Sequence, residues 1–209
     1  MTDTTISIET TPKIAAQEKQ KIQAYHDMGI RRISMGVQTI APESVGREST
    51  SISWNKEAMK HIREAGFEQF NIDLMYGFAG QTTKHVQASI EHILSLDPEF
   101  VTLYRMRYKR TSVENKALQV DINEVNRQYD VMKDILGEAG YEVRNGKNTF
   151  SRVSGNDGLS DYLHHRVERA VPYLGLGMGA QTFHPGGILA YNGGAAVKHP
   201  DYYYRNIQE

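Results

Sequence analysis

Cysteine is absent from all 209 residues. That excludes a disulfide framework and any metal site built on thiolates from this chain. It fits the reducing cytoplasm, which is the expected compartment. Charge of one sign is also missing. Lysine plus arginine number 24 and aspartate plus glutamate 25, a net charge of −1. This balance argues against a basic nucleic-acid binder, an acidic tail and a polybasic membrane anchor. No run approaches the ~20 apolar residues that cross a bilayer. The opening MTDTTISIETTP has neither the basic start nor the apolar centre of a secretory signal. No low-complexity tract and no Pro- or Ser-rich linker interrupts the chain.

What the sequence does contain is a repeated alternation. Ile14 to Met28 reads as a helix ending at Gly29, followed by a β-type run from Arg32 to Val37. Ala58, Ile62 and Ala65 make a helical face ending at Gly66, followed by Phe70 to Tyr76. Val86, Ile90, Ile93 and Leu94 make another, stopped by Asp97-Pro98 and followed by Phe100 to Met106. Ile122, Val125, Tyr129, Met132, Leu136 and Ala139 make the longest stripe, ending at Gly140 before Tyr141 to Arg144. Each apolar stripe of period 3.6 needs a partner surface. Glycine past a helix end takes the left-handed conformation, and proline disfavours α geometry in the residue before it. Strand and helix alternating at roughly 30-residue spacing predict parallel strands with right-handed crossovers.

The expected class is therefore α/β with a mostly parallel sheet, either open or part of a (β/α) barrel. Four units, counted from a first strand at Ile6 to Glu9, are too few for a closed eight-stranded barrel of ~250 residues. The first strand follows only five residues. A start that abrupt predicts a domain cut open, or a sheet edge covered by something else.

Strand side chains alternate between faces. Ile6 and Ile8 oppose Ser7 and Glu9. Ile33, Met35 and Val37 oppose Ser34, Gly36 and Gln38. Ile72, Leu74 and Tyr76 oppose Asn71 and Asp73. If helices cover the apolar faces, the polar faces line one interior. Glu9, Gln38 and Asp73 fall at or near the C-terminal strand ends, where open α/β sheets and barrels place their sites. Buried carboxylates there need a ligand, a cation or water. The bland alternative is a solvated polar sheet face.

Other candidates are less specific. Gly175, Gly177 and Gly179 lie in YLGLGMGAQTF, but a turn-like FHPGG follows where a dinucleotide fingerprint needs a helix. Close backbone approach or tight turns explain these glycines. His26, His61, His85 and His92 fall on helices and read as surface residues. His164 and His165 are neighbours that do not share a helix face. His184 precedes a Pro-Gly-Gly loop and reads as a loop residue. HExxH, GxSxG and Walker patterns are absent. Arg105, Arg107, Lys109 and Arg110 form a basic cluster, read as a solvated loop or as a site for an anionic substrate.

ISIETTP, ISMGVQ, a following GRE and NIDLMYGFAGQT occur in that order, and LDPEFVTLYRM, AGYEV, NTFSR, SDYL and YLGLGMGAQTF come after them. Over residues 6 to about 207 this arrangement resembles the radical S-adenosylmethionine family of oxygen-independent coproporphyrinogen III oxidase and its relatives. The resemblance implies an incomplete (β/α)6 barrel with a C-terminal extension. Here that means a partial barrel over 1–145 and an extension over 146–209 packing on it. It implies that Glu9 contacts S-adenosylmethionine through the amino group, with Gln38, Arg47 and Asp73 completing the contacts. Family members of this type can bind two such molecules. Ser34, Asn71, Arg105 and Arg107 are candidates for a substrate or second ligand. Two departures stand out. Gln38 and Arg47 are a few residues closer than in the family pattern. Arg107 falls where the family's coproporphyrinogen oxidases place a small residue.

The third departure is larger. These enzymes bind a 4Fe–4S cluster through CxxxCxxC, and this chain has no cysteine. The expectation is part of a radical S-adenosylmethionine oxidoreductase, inactive alone, with propionate decarboxylation in porphyrin biosynthesis as the reference reaction. The cluster would exist only in a full-length protein, and no catalytic or metal-binding residue is assigned. One alternative is a cluster-free module binding S-adenosylmethionine, heme or a partner subunit. Another is a relative of radical methyltransferases or cyclopropanases acting on a non-porphyrin substrate. A degenerate reading frame without a stable fold, and an unrelated barrel with a divalent metal on Glu9 and Asp73, rank below these. The expected partners are a small-molecule ligand, S-adenosylmethionine or a tetrapyrrole, and another copy of the chain through the open sheet edge. Nucleic acid and membrane are not expected.

Overall fold

In a computed structural model the described residues are 5–40, 52–109, 111, 113–177 and 179–191. Arg47 and Arg110 lie outside them. The chain divides into two compact units, Met1–Ser160 and Asp161–Glu209. The first unit thus runs past position 145.

The first unit alternates strand and helix. Its elements are β1 (Ser7–Thr10), α1 (Pro12–Gln17), α2 (Lys19–Asp27), β2 (Arg32–Gln38), α3 (Ile52–Glu64), β3 (Gln69–Tyr76), α4 (Thr83–Ser95) and β4 (Phe100–Arg105). A 3₁₀ turn (Glu114–Gln119), α5 (Ile122–Glu138), β5 (Glu142–Val143) and β6 (Thr149–Ser151) follow. The sheet order is β1-β2-β3-β4-β6-β5. Strands β1 to β4 pair in parallel, and β6 pairs antiparallel with both β4 and β5. The architecture is α/β with a mostly parallel sheet, as the alternation predicts.

The apolar faces of the strands pack against the helices. Ile33, Met35, Val37, Phe70, Ile72, Leu74, Val101 and Leu103 join Ala58, Ile62, Val86, Ile90, Ile93, Met132 and Leu136 in one buried core. Each fully buried aliphatic side chain contributes roughly 1.5–3 kcal/mol against exposure. Gly66 ends α3 at φ +94°, a conformation costly for any residue with a Cβ.

Two local expectations are corrected. The helix expected over Ile14 to Met28 is broken at Glu18, whose φ of −116° and ψ of 58° are not helical. The Ala15 carbonyl, which in an unbroken helix accepts from residue 19, instead accepts from His61 Nδ1 at 2.8 Å. His61 is thus a buried link between α1 and α3, with Nε2 3.0 Å from Glu57, and not a surface residue. His92 is also partnered, by Asn55 at 3.1 Å. The second correction concerns β5. Its neighbour is β6 rather than β4, because a tight turn closed by Lys147 N to Arg144 O brings the chain back as β6 between them.

At the N-terminal end of the sheet Glu99 ties the strands together. Its carboxylate accepts from the Phe70 amide at 3.0 Å, from Arg63 at 2.7 and 3.0 Å, and from Arg152 at 3.4 Å.

The second unit contains one helical turn (α6, Asp161–Leu163), a π-helical turn (His164–Glu168) and the hairpin β7 (Gln181–His184) with β8 (Ile188–Tyr191). Tyr173 bridges Phe183, and Gly175 lies against the backbone of Gln181. Gly175 thus makes the expected close approach, while Gly177 and Gly179 have open space at their Cβ positions and take positive φ, +93° and +74°. A strand follows them, not a helix.

Candidate ligand-binding site

The polar face of the first sheet carries the site. Glu9 stands opposite Ser34 in the register of β1 and β2, Ser34 opposite Asn71, and Asp73 opposite Thr102. Asn71 Nδ2 donates to Ser34 Oγ at 2.6 Å and to Asp73 Oδ1 at 2.7 Å. Ser34 donates to Asp73 Oδ2 at 3.3 Å. Thr102 donates to Asn71 Oδ1 at 2.9 Å and meets the Thr149 hydroxyl at 3.2 Å. One chain of hydrogen bonds therefore crosses β2, β3, β4 and β6. It sets the amide orientation of Asn71, because only Nδ2 can donate to a carboxylate.

Burial dominates the electrostatics of Asp73. It pushes the carboxyl up from 3.8 to about 6, and the neighbouring Glu9 charge adds to the rise. Hydrogen bonds from Asn71 and Ser34 and the charge of Arg32 oppose it. Glu9 itself is exposed at the sheet edge.

The face is closed at its N-terminal end. The buried Arg32 guanidinium stacks 4.5 Å from the Phe100 ring centroid and donates to the Gly158 carbonyl. Gly158 is wedged in place: a Cβ there would lie 2.7 Å from Thr149 Cγ2 and 2.8 Å from Phe100 Cδ1. Toward the opposite end the register runs from Glu9, level with Ser34, Asn71 and Phe100, through Asp73, level with Gly36 and Thr102, to Gln38.

Gln38 ends β2 in a left-handed conformation, φ 68°, at a bulge that sets it opposite Leu74. Its amide folds back over Gly36, where a Cβ would come within 2.8 Å of Nε2. Beyond β3 the Gly77–Gln81 turn is clamped from outside. Tyr108 accepts from the Ala79 amide at 2.6 Å and donates to the Gly77 carbonyl at 3.2 Å. Gln128 accepts from the Gly77 amide at 3.0 Å and donates to the Gln81 carbonyl at 2.7 Å.

Strand alternation thus brings Glu9, Ser34, Asn71 and Asp73 to one face, and the Gln38 amide reaches it by folding back over Gly36 past the bulge. It does not bring Arg105 there. Arg105 stands opposite Tyr76, beside Gly77 and on the helix-covered side; burial raises the pKa of the Tyr76 hydroxyl and the Arg105 charge only partly offsets that rise. Arg107 is exposed beyond the strand. Thr102 and Tyr104 share the polar face, and the period-2 reading of β4 could have found both. Thr149 had no such signal, because it arrives on an antiparallel strand.

No protein-family model matches the chain. The heme chaperone HemW of Bacillus subtilis is 30% identical over 208 residues, covering 92% of this chain and 51% of the relative. The oxygen-independent coproporphyrinogen III oxidase of Paracoccus denitrificans is 27% identical, covering 87% and 43%. This chain is a homologue of HemW and of oxygen-independent coproporphyrinogen III oxidase. The solved coproporphyrinogen III oxidase HemN of Escherichia coli, a radical SAM enzyme, matches the fold with a TM-score of 0.64 at 22% identity. That match covers 86% of this chain and 44% of HemN. The chain spans about half the length of the HemW and HemN relatives. None of its helices, over the described residues, is long and apolar enough to cross a membrane.

Proposed function

We propose that this chain carries the S-adenosylmethionine contacts of a HemW- and HemN-like protein and performs no radical chemistry by itself. The observation that carries this reading is the convergence of Glu9 and Asp73 on one polar face, with Asp73 held by Asn71 and Ser34. Two carboxylates suit a ligand bearing an ammonium and a sulfonium. The Gln38 amide and the Ser34 hydroxyl suit its hydroxyl and carboxylate groups. Glu9 takes the amino group, Gln38 and Asp73 take further polar contacts, and Arg47 joins them by family resemblance. The surrounding architecture is a partial (β/α) barrel with an open edge at β1.

Bound S-adenosylmethionine supplies an activated carbon–sulfur bond. This chain's residues bind and orient the ligand. A 4Fe–4S cluster does not fit the donor set, since such clusters take cysteine thiolates and this sequence has none. No step through the cluster is assigned, and no residue is assigned as catalytic. A tetrapyrrole as second ligand follows from the names of the relatives, heme chaperone and coproporphyrinogen III oxidase.

Titration calorimetry with S-adenosylmethionine in iron-free buffer tests the reading. One binding site is expected, weakened at least roughly tenfold by Glu9→Gln or Asp73→Asn, in line with the loss of a charge-assisted contact. Absence of binding by the wild-type chain overturns it. Titration of heme, followed by its absorption spectrum, tests the second ligand separately.

A further inference from the structure

We propose that Tyr104 is the residue by which this site selects a ligand carrying an onium charge over its neutral counterpart. The inference rests on the reading of the polar face as an S-adenosylmethionine site and adds a specificity determinant to it.

The geometry comes from strand register. Thr102 lies on the polar face, because its hydroxyl bonds Asn71. Tyr104, two residues further along β4, returns to that face. It stands opposite Met75, which in turn lies two residues beyond Asp73. Tyr104 and Met75 therefore flank the C-terminal mouth of the site, about 7 Å beyond Asp73 along the strands. Tyr104 is 46% exposed, so its ring is neither buried in the core nor free in solvent. Burial raises the pKa of its hydroxyl, and the charges of Asp73 and Glu9 raise it further. Strands β1 and β4 are three sheet spacings apart, about 14 Å in a flat sheet.

This places an aromatic ring and a thioether beyond Asp73 on a polar face whose exposed edge carries Glu9. Of the cations near it, Arg32 is engaged at the far end with Phe100 and Gly158, and Arg105 lies on the other side of the sheet. Carboxylates attract any cation. A ring face prefers a diffuse, weakly hydrated one such as a sulfonium. The neutral sulfide S-adenosylhomocysteine, which keeps the nucleoside and amino acid, forfeits that contact.

The test compares S-adenosylmethionine and S-adenosylhomocysteine by calorimetry on the wild-type chain, Tyr104→Leu and Tyr104→Phe. The wild type is expected to prefer S-adenosylmethionine. Tyr104→Leu is expected to shrink that preference roughly two- to thirty-fold by weakening the charged ligand selectively, and Tyr104→Phe to keep it. Equal weakening of both ligands in Tyr104→Leu, or no change in either, overturns the inference and leaves the binding site standing. Equal wild-type affinity for the two ligands overturns it without any variant. A wild type that binds neither removes the site and the inference together.

Discussion

Asn71 holds Asp73 from inside its own strand. Its Nδ2 lies 2.7 Å from the Asp73 carboxylate while its Oδ1 accepts from Thr102 on the neighbouring strand. The buried amide is thus fixed at both ends, and the carboxylate two residues away inherits its position. Replacing Asn71 by Ala removes a bond that favours the ionised form of Asp73, so the carboxyl pKa should rise above about 6. It should also cost roughly 1–3 kcal/mol of stability through unpaired buried groups. Carboxyl-carbon NMR titration and denaturant unfolding check the two effects.

Asp73 makes stability fall as pH rises. Its native carboxyl, at about 6, binds a proton more tightly than the unfolded one at 3.8. Between those values the native state holds more protons, so its contribution is complete below the unfolded value and is lost as pH rises through about 6. The span corresponds to on the order of 3 kcal/mol. Asp73→Asn should flatten this dependence and be more stable than wild type at pH ~7.5. Urea unfolding at both ends of the window decides it. A cationic ligand reverses the preference, so S-adenosylmethionine binding should tighten over the same rise and release a proton. Calorimetry in buffers of different ionisation enthalpy reads that proton.

Gly158→Ala should destabilise the first unit by about 1–3 kcal/mol. The new Cβ would press on Phe100 and Thr149 at a residue with φ +77°. Thermal unfolding followed by circular dichroism measures the loss. An unchanged midpoint would contradict a tightly closed N-terminal end of the polar face.

Gly36→Ala should act on the ligand more than on the fold. Its Cβ meets only the Gln38 side chain, at 2.8 Å from Nε2 and 3.9 Å from Cδ. The amide must swing away, so weaker S-adenosylmethionine binding with little change in unfolding midpoint is expected. Unaltered affinity would remove Gln38 from the contact set.

Strand β1 pairs with β2 on one side and is a terminal strand of the sheet order. Edge backbone of this kind recruits further strands. Sedimentation velocity should show concentration-dependent association of the chain, and a clean monomer at every concentration would count against the open edge.

Much of this was legible because it is local. Ile33, Met35 and Val37 alternate with Ser34, Gly36 and Gln38 in the sequence, and the structure buries the first three while the others face the polar side. The same period on Thr102 and Tyr104 was equally readable. Arg105 shows the limit of reading a basic run as a unit, since its parity puts it on the helix side. The family likeness of NIDLMYGFAGQT was legible too, because that segment forms β3 and the clamped turn after it.

The strand–helix alternation, the face of each parallel strand and the absence of thiolate ligands are written in residue order and composition. These depend on the period of neighbouring residues and on composition. The break between α1 and α2 where His61 meets Ala15, the entry of β6 between β4 and β5, and the closing of one end of the polar face by Gly158 and Arg32 emerge in the folded chain alone. Each joins residues far apart in the chain. No local periodicity encodes such contacts; they form only where folding has removed the competing water.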